Sequence, residues 1–533
     1  MRGMWSFDAP RRWRIAAVIG TVALGGCGGA GSPGSAGRAG GTHAGPGAPT
    51  ARHAAGPYRW LVRTTGAPPS IQAENALPGT TAWRLPGPAD QLGGLASGNV
   101  RGYASPETVW PGQTLRIAAE APGARHLRIT IYRMGWYGGT GGRAVLVSRS
   151  LPVLHQPACA HVSATGLSSC HWRPSLRIPL PPALPSGVYI AKLTAATGHS
   201  DVLFVLGARR PAPLLAMLPT ATYEAYNGWG GDSLYPGGAD RVGATGTTQG
   251  VAVSYARPYD SITGAGQFFS RDVAMVRFLE RHLAPVSYTS SEGVQADPGQ
   301  LRRARVVLDF GHSEYWSSEQ ARAFAAARDS GVSLLFLSSD TMAWRVRFSD
   351  AQTIVAYKEH VALDPNRAAP TGDFGATAAA ITGSRYLGCI LARVPQPGPP
   401  TYLLAPWHPA PALAPSWLFA GTGLTAASTI PGVLGYELDQ TGTGTPPGTV
   451  TVGGGTAPCM SVEAGEPAPP PGPGQASSTL YTSPSGAFVF ASGTLSWELG
   501  LEPVPSASPQ APRAPQPALV RMTLNLIGHA LVR

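Results

Sequence analysis

The sequence predicts an α/β plus all-β protein: an N-terminal β-sandwich followed by a doubly wound, mostly parallel α/β domain. Three observations predict it. Short runs of strand-forming residues, punctuated by turn signals, recur from about Tyr58 to Gly207 and suit a sandwich. Beyond Pro213, buried apolar runs alternate with helical periodicity. Residues 305–339 hold a complete strand–helix–strand unit, whose two strands should be parallel.

The elements follow in order. Arg2, Arg11, Arg12 and Arg14 precede an apolar stretch, residues 15–24, too short to span a bilayer, and Leu24-Gly25-Gly26-Cys27 resembles a bacterial lipobox. Residues 1–26 therefore read as a lipoprotein signal peptide with lipidation at Cys27, and 27–57 as a disordered Gly/Ala/Pro tether. This expects an extracytoplasmic protein, lipid-anchored to the bacterial cell membrane. The export route stays open between a general signal and a twin-arginine one, since Arg14 stands where the latter usually has an apolar residue.

The sandwich, residues 58–207, has expected strands at 114–119, 126–133, 144–148 and 187–195. Ile131 to Arg143 reads as a strand entering a Gly-rich aromatic hairpin loop, without the Lys-Ser/Thr of a phosphate loop. The α/β domain, residues 211–533, opens with a buried strand at 214–218. A helix at 272–283 and a strand at 286–289 follow. Then Val306–Phe310 stops at Gly311, and Ser317 with Gln320 forms a capping-box pattern. Gly331 suits the left-handed helix stop before the strand at 332–339. Residues 365–480, rich in Gly, Pro and Thr, give no clear pattern. Residues 487–491 and 496–499 read as late strands, and 519–532 as a closing helix.

The 533 residues carry 68 Gly, 53 Pro and only 13% charged residues, which argues against a coiled coil or helical bundle. The net charge of +11 comes from dispersed arginines without basic–aromatic stripes, so no nucleic-acid partner is expected. Weak attraction to an anionic envelope surface fits it, and homo-oligomerisation is left open. Outside the cytoplasm the four remaining cysteines should pair. Cys159 and Cys170 are close in sequence, which leaves Cys389 with Cys459.

Three loops follow predicted parallel strands and should meet at one sheet edge: residues 222–235, 311–316 and 340–347. They bring together tyrosines, Trp229, His312, Glu314, Asp340, Trp344 and Arg345. His312 and Glu314, two apart, share a face if extended, as base and orienter or as metal ligand and supporting group. Phenolate and carboxylate oxygens would suit a hard cation such as Fe(III) better than zinc. The alternative is that the aromatics cap the core and Glu314 pairs with an arginine. No Gly-x-Ser-x-Gly elbow follows a strand, which argues against a serine hydrolase.

Tyr132-Arg-Met-Gly-Trp-Tyr-Gly-Gly-Thr-Gly-Gly-Arg143, Ala225-Tyr-Asn-Gly-Trp-Gly-Gly-Asp-Ser-Leu-Tyr235, Gly311-His-Ser-Glu-Tyr-Trp316, Trp344-Arg-Val-Arg347 and Gly432-Val-Leu-Gly-Tyr-Glu437 resemble the large (β) subunit family of N,N-dimethylformamidase, over roughly residues 95–505. The resemblance implies an amidohydrolase acting on a small amide, with mononuclear iron held by two tyrosines and a glutamate and assisted by a histidine. It assigns Glu314 as carboxylate ligand, His312 as the assisting histidine and Tyr226 as one phenolate. Tyr189 is the expected second phenolate, with Tyr223 and Tyr235 as competitors. The family enzyme has a small partner subunit and is cytoplasmic, and in both respects this chain departs from it. The competing function is a non-catalytic envelope lipoprotein that binds a glycan or peptide in the aromatic crevice.

Overall fold

Two sheets built from the first half of the chain share one apolar core. The larger runs in the order Tyr58–Trp60, Gly142–Ser148, His126–Met134, Gly187–Ala195, Gly198–Leu206, Thr108–Val109, with Leu151–Pro152 beside His126–Met134. The smaller runs Pro174–Pro179, Thr114–Glu120, Arg101–Ser105. Strand alternation explains the layering: Leu115 and Ile117, Ile129 and Ile131, and Leu176 and Ile178 all point into the shared core. The computed structural model describes residues 56–532 other than 90, 236–248, 283–284, 392, 395–400, 461–472, 505–507 and 509. The expected signal peptide, Cys27 and the tether up to residue 55 lie outside the described residues.

A nine-stranded mixed sheet follows. Its first five strands are parallel, in the order Val286–Ser290, Leu214–Leu218, Val306–His312, Ser333–Ser339, Phe488–Ala491. In chain order this is 2-1-3-4-5. Gly474–Thr482, Val450–Ala457, Ala405–Pro409 and Ile430–Leu434 extend it antiparallel. Both faces are covered. Leu214, Ala216, Leu308 and Phe310 pack with helices Val273–His282 and Pro517–Val532. Leu215, Met217, Val307 and Phe336 pack with Ser318–Asp329 and Ala376–Thr382. Met134, Val188, Ile190 and Val205 of the larger N-terminal sheet enter the first of these cores, and Ala55–Arg533 form one compact unit.

The 305–339 unit forms as its sequence predicts. Ser317 Oγ accepts from the Gln320 amide, Gln320 Oε1 accepts from the Ser317 amide, and the flanking strands are parallel. Two readings change. Residues 496–499 are not a strand: Trp497–Gly500 is a 3-10 turn, with Trp497 edge-on to Trp407. The Gly- and Thr-rich stretch after 400 supplies the antiparallel half of the sheet. Among the described residues no helix is long and apolar enough to cross a membrane.

Candidate metal centre

The strand order reverses between Leu214–Leu218 and Val306–His312, and the crevice beyond their carboxyl ends is where open α/β sheets bind ligands. Leu214–Leu218 leads into helix Thr220–Tyr226. Its neighbour extends one residue past the expected stop and ends on His312. Gly311 makes this possible. Its φ is +76°, and a Cβ there would overlap the Asp272 carboxylate, so only glycine fits. The next residues are pinned: Ser313 Oγ donates to Asp309 (2.7 Å), and the Glu314 amide donates to Thr222 Oγ1 (3.0 Å).

His312 is buried among carboxylates. Its Nε2 lies 3.1 Å from Glu437, 3.4 Å from Glu314 and 3.7 Å from Asp340. His312, Glu314 and Asp340 can each offer a ligand atom, all within 4.8 Å of one another. Phenols complete the ring of donors. The Tyr235 hydroxyl donates to Glu314, and Tyr226 donates to the Tyr235 hydroxyl at 3.0 Å, with the two rings stacked at 4.3 Å. Tyr226 also lies 5.3 Å from the His312 ring. Burial first, then the charges of Glu314 and Glu437, hold the Tyr226 phenol well above its usual range. One imidazole cannot neutralise three buried carboxylates, and leaving such charges uncompensated is costly. The oxygen-rich set with a single nitrogen fits a hard cation.

The loop carrying Asp340 is strained. Asp340 and Met342 both have left-handed φ, +57° and +58°. Asp439 holds it in place by accepting from the Asp340 amide (2.7 Å) and Ser339 Oγ (3.1 Å). Burial pushes the Asp439 carboxyl up to about 7. Glu437 and Asp439 are two apart on strand Glu437–Gln440, so one strand face supplies both groups.

Of the residues singled out from sequence, His312, Glu314, Tyr226 and Asp340 meet here. Trp344 is nearby, with the Lys358 ammonium between its ring (5.1 Å) and that of Tyr235 (3.6 Å). Four do not join them. Tyr189 lies in the N-terminal core, stacked on its cross-strand partner Phe204, and its hydroxyl donates to the Pro185 carbonyl. Trp229 packs edge-on against Trp172, beside the Cys159–Cys170 disulfide. Arg345 donates to the Asp373 carbonyl and covers Phe374. Tyr223 turns away to Asp272, which leaves Tyr235 as the neighbour of Tyr226. Glu437, Asp439 and Lys358 carry no local signal, although Glu437 closes the Gly432–Glu437 segment. Cys459 is also disulfide-bonded, and the side chain of Cys389 lies outside the described residues.

No curated protein matches the chain. Among solved structures, a carbohydrate acetylesterase from Xanthomonas citri aligns with 43% of this chain at 11% identity and a TM-score of 0.13, a likeness too slight to bear on fold or function. The chain spans 56% of that structure's length. The family comparison is decisive. Residues 128–511, which hold every member of the His312 cluster, match the model described as N,N-dimethylformamidase beta subunit-like, C-terminal, and the chain belongs to that family.

Proposed function

We propose that this protein hydrolyses the carbon–nitrogen bond of a small amide at the His312 cluster, with mononuclear Fe(III) held by Tyr226, Tyr235 and Glu314. The observation that carries this reading is the hydrogen-bonded run Tyr226–Tyr235–Glu314 ending beside His312. When bound, the ferric ion supplies Lewis acidity that polarises a carbonyl. His312 Nε2, with Glu437 at 3.1 Å to orient it and offset its charge, takes the proton of the attacking water. It returns that proton to the amine nitrogen as the carbon–nitrogen bond breaks, giving a carboxylic acid and an amine. Asp439 acts by positioning, since it fixes the strained Asp340 loop.

The family membership supports the amide-hydrolase reading; the Cys159–Cys170 disulfide supports an exported chain, since disulfides persist outside the cytoplasm, and lipidation at Cys27 would then anchor it. Elemental analysis and a visible spectrum of the purified protein test it, together with an amine-release assay on small amides. Iron, a phenolate-to-ferric absorption band and amine release are expected. A colourless, iron-free protein that releases no amine but binds glycans or peptides would refute it.

A further inference from the structure

We infer that the substrate of this centre carries a carboxylate and that Lys358 receives it, which makes an N-acylated amino acid the substrate class; this rests on the amide-hydrolase reading above. Lys358 and Lys192 are the chain's two lysines. Lys192 is accounted for, because its ammonium donates to the carbonyls of Ala82 and Arg84. Lys358 is not. It is 4% exposed, and among the described residues its ammonium makes no hydrogen bond or ion pair. It faces the Tyr235 ring at 3.6 Å and the Trp344 ring at 5.1 Å. Two aromatic faces replace part of the lost hydration, but they bring no counter-charge. The backbone adds a second cost, with φ of +50° at a residue that has a Cβ. A buried cation kept at such cost, one phenol ring away from Glu314, is a seat for an anion that none of the described residues supplies.

The His312 end of the cluster excludes that anion. Glu314, Asp340 and Glu437 crowd His312 and would repel a substrate carboxylate. An amide carbonyl at the His312 end with its carboxylate at Lys358 satisfies both ends. In an N-acylated amino acid only the nitrogen and Cα separate the two groups, a span comparable with the Tyr235 ring between them. Hydrolysis adds water across the carbon–nitrogen bond and releases a carboxylic acid and an amino acid.

Calorimetric titration of the full chain with N-acetylglycine and with neutral N-acetylglycinamide tests this without relying on turnover. The carboxylate should bind about 10–100-fold more tightly, the range for a hydrogen bond to a charged group. Lys358→Met should bring the ratio to about one, and Lys358→Arg should restore a preference. No preference in the wild type overturns the inference, and so does a folded Lys358→Met protein that keeps the preference. If Lys358→Met does not fold, the wild-type ratio decides alone. Preference without hydrolysis of any amide would sink the hydrolase reading and leave the anion seat. Hydrolysis of neutral amides without preference would do the reverse.

Discussion

Gly311→Ala tests how the fold aims His312. Two separate costs arise there. The left-handed φ of +76° costs an alanine about 1–2 kcal/mol. The new methyl would also overlap the Asp272 carboxylate, which is buried and accepts the Tyr223 hydroxyl. Displacing that carboxylate strands the buried Tyr223 hydroxyl, at about 1–3 kcal/mol. The expected loss is the sum, about 2–5 kcal/mol. Gly331→Ala is the control: φ there is +97°, but nothing lies within 4 Å of the added carbon. It should cost only the backbone part, about 1–2 kcal/mol. Urea unfolding of the two variants beside the wild type measures the difference. Gly311→Ala should also lose function beyond its stability loss, because His312 is the next residue. Equal destabilisation by the two substitutions would refute the claim that Asp272 enforces glycine at 311.

Glu314→Ala should lose both iron and visible colour, whereas His312→Ala should keep the iron and lose activity by a factor of about 10²–10⁴; iron retained by Glu314→Ala would argue against its role as ligand. Burial pushes the Asp309 carboxyl up to about 8, against hydrogen bonds from Ser313 and Ser338 that lower it. The folded state therefore keeps a proton that the unfolded chain releases near pH ~4. That contribution to stability is complete below about pH 4 and fades as pH rises to about 8, and Asp309→Asn should flatten part of the slope in a pH series of unfolding measurements. Asp439, pushed up to about 7, acts in the same direction. Replacing Cys159 and Cys170 by serine should cost about 3 kcal/mol on the loop-entropy estimate, and peptide mapping without reductant should recover the bridge in the native chain. Cys27→Ser should release the protein from membranes, which fractionation checks.

The elements legible in the sequence are those where local chemistry and burial agree. Ser317 and Gln320 announce their helix because a capping box needs only four residues. The strand at 214–218 announces itself because both its faces are covered. Gly474–Thr482 and Val450–Ala457 are hidden because small polar residues there gain their burial from neighbouring strands rather than from their own pattern. His312, Glu314, Asp340 and Tyr226 could be placed together because parallel strands deliver their carboxyl ends to one edge. Glu437 could not, since it arrives from a small separate sheet with Arg385–Leu391 and Cys459–Met460. Tyr189 carried its own contrary signal: it sits mid-strand in Gly187–Ala195, where a tyrosine flanked by apolar residues packs into a core.

The donors around His312 come from residues 226–235, 312–314, 340 and 437, which adjoin only after the mixed sheet has closed. An unfinished or unfolded chain therefore offers an ion no comparable grip, and an ion bound here would be the last part to arrive. Whatever cation settles there binds the folded form alone, which deepens the native well by about 2.7 kcal/mol when its concentration is a hundred times Kd. If the proposed ion is bound, its scarcity would do more than silence the centre. It returns that margin to the unfolded population, where proteases act, so the amount of protein in the cell should follow the supply of metal.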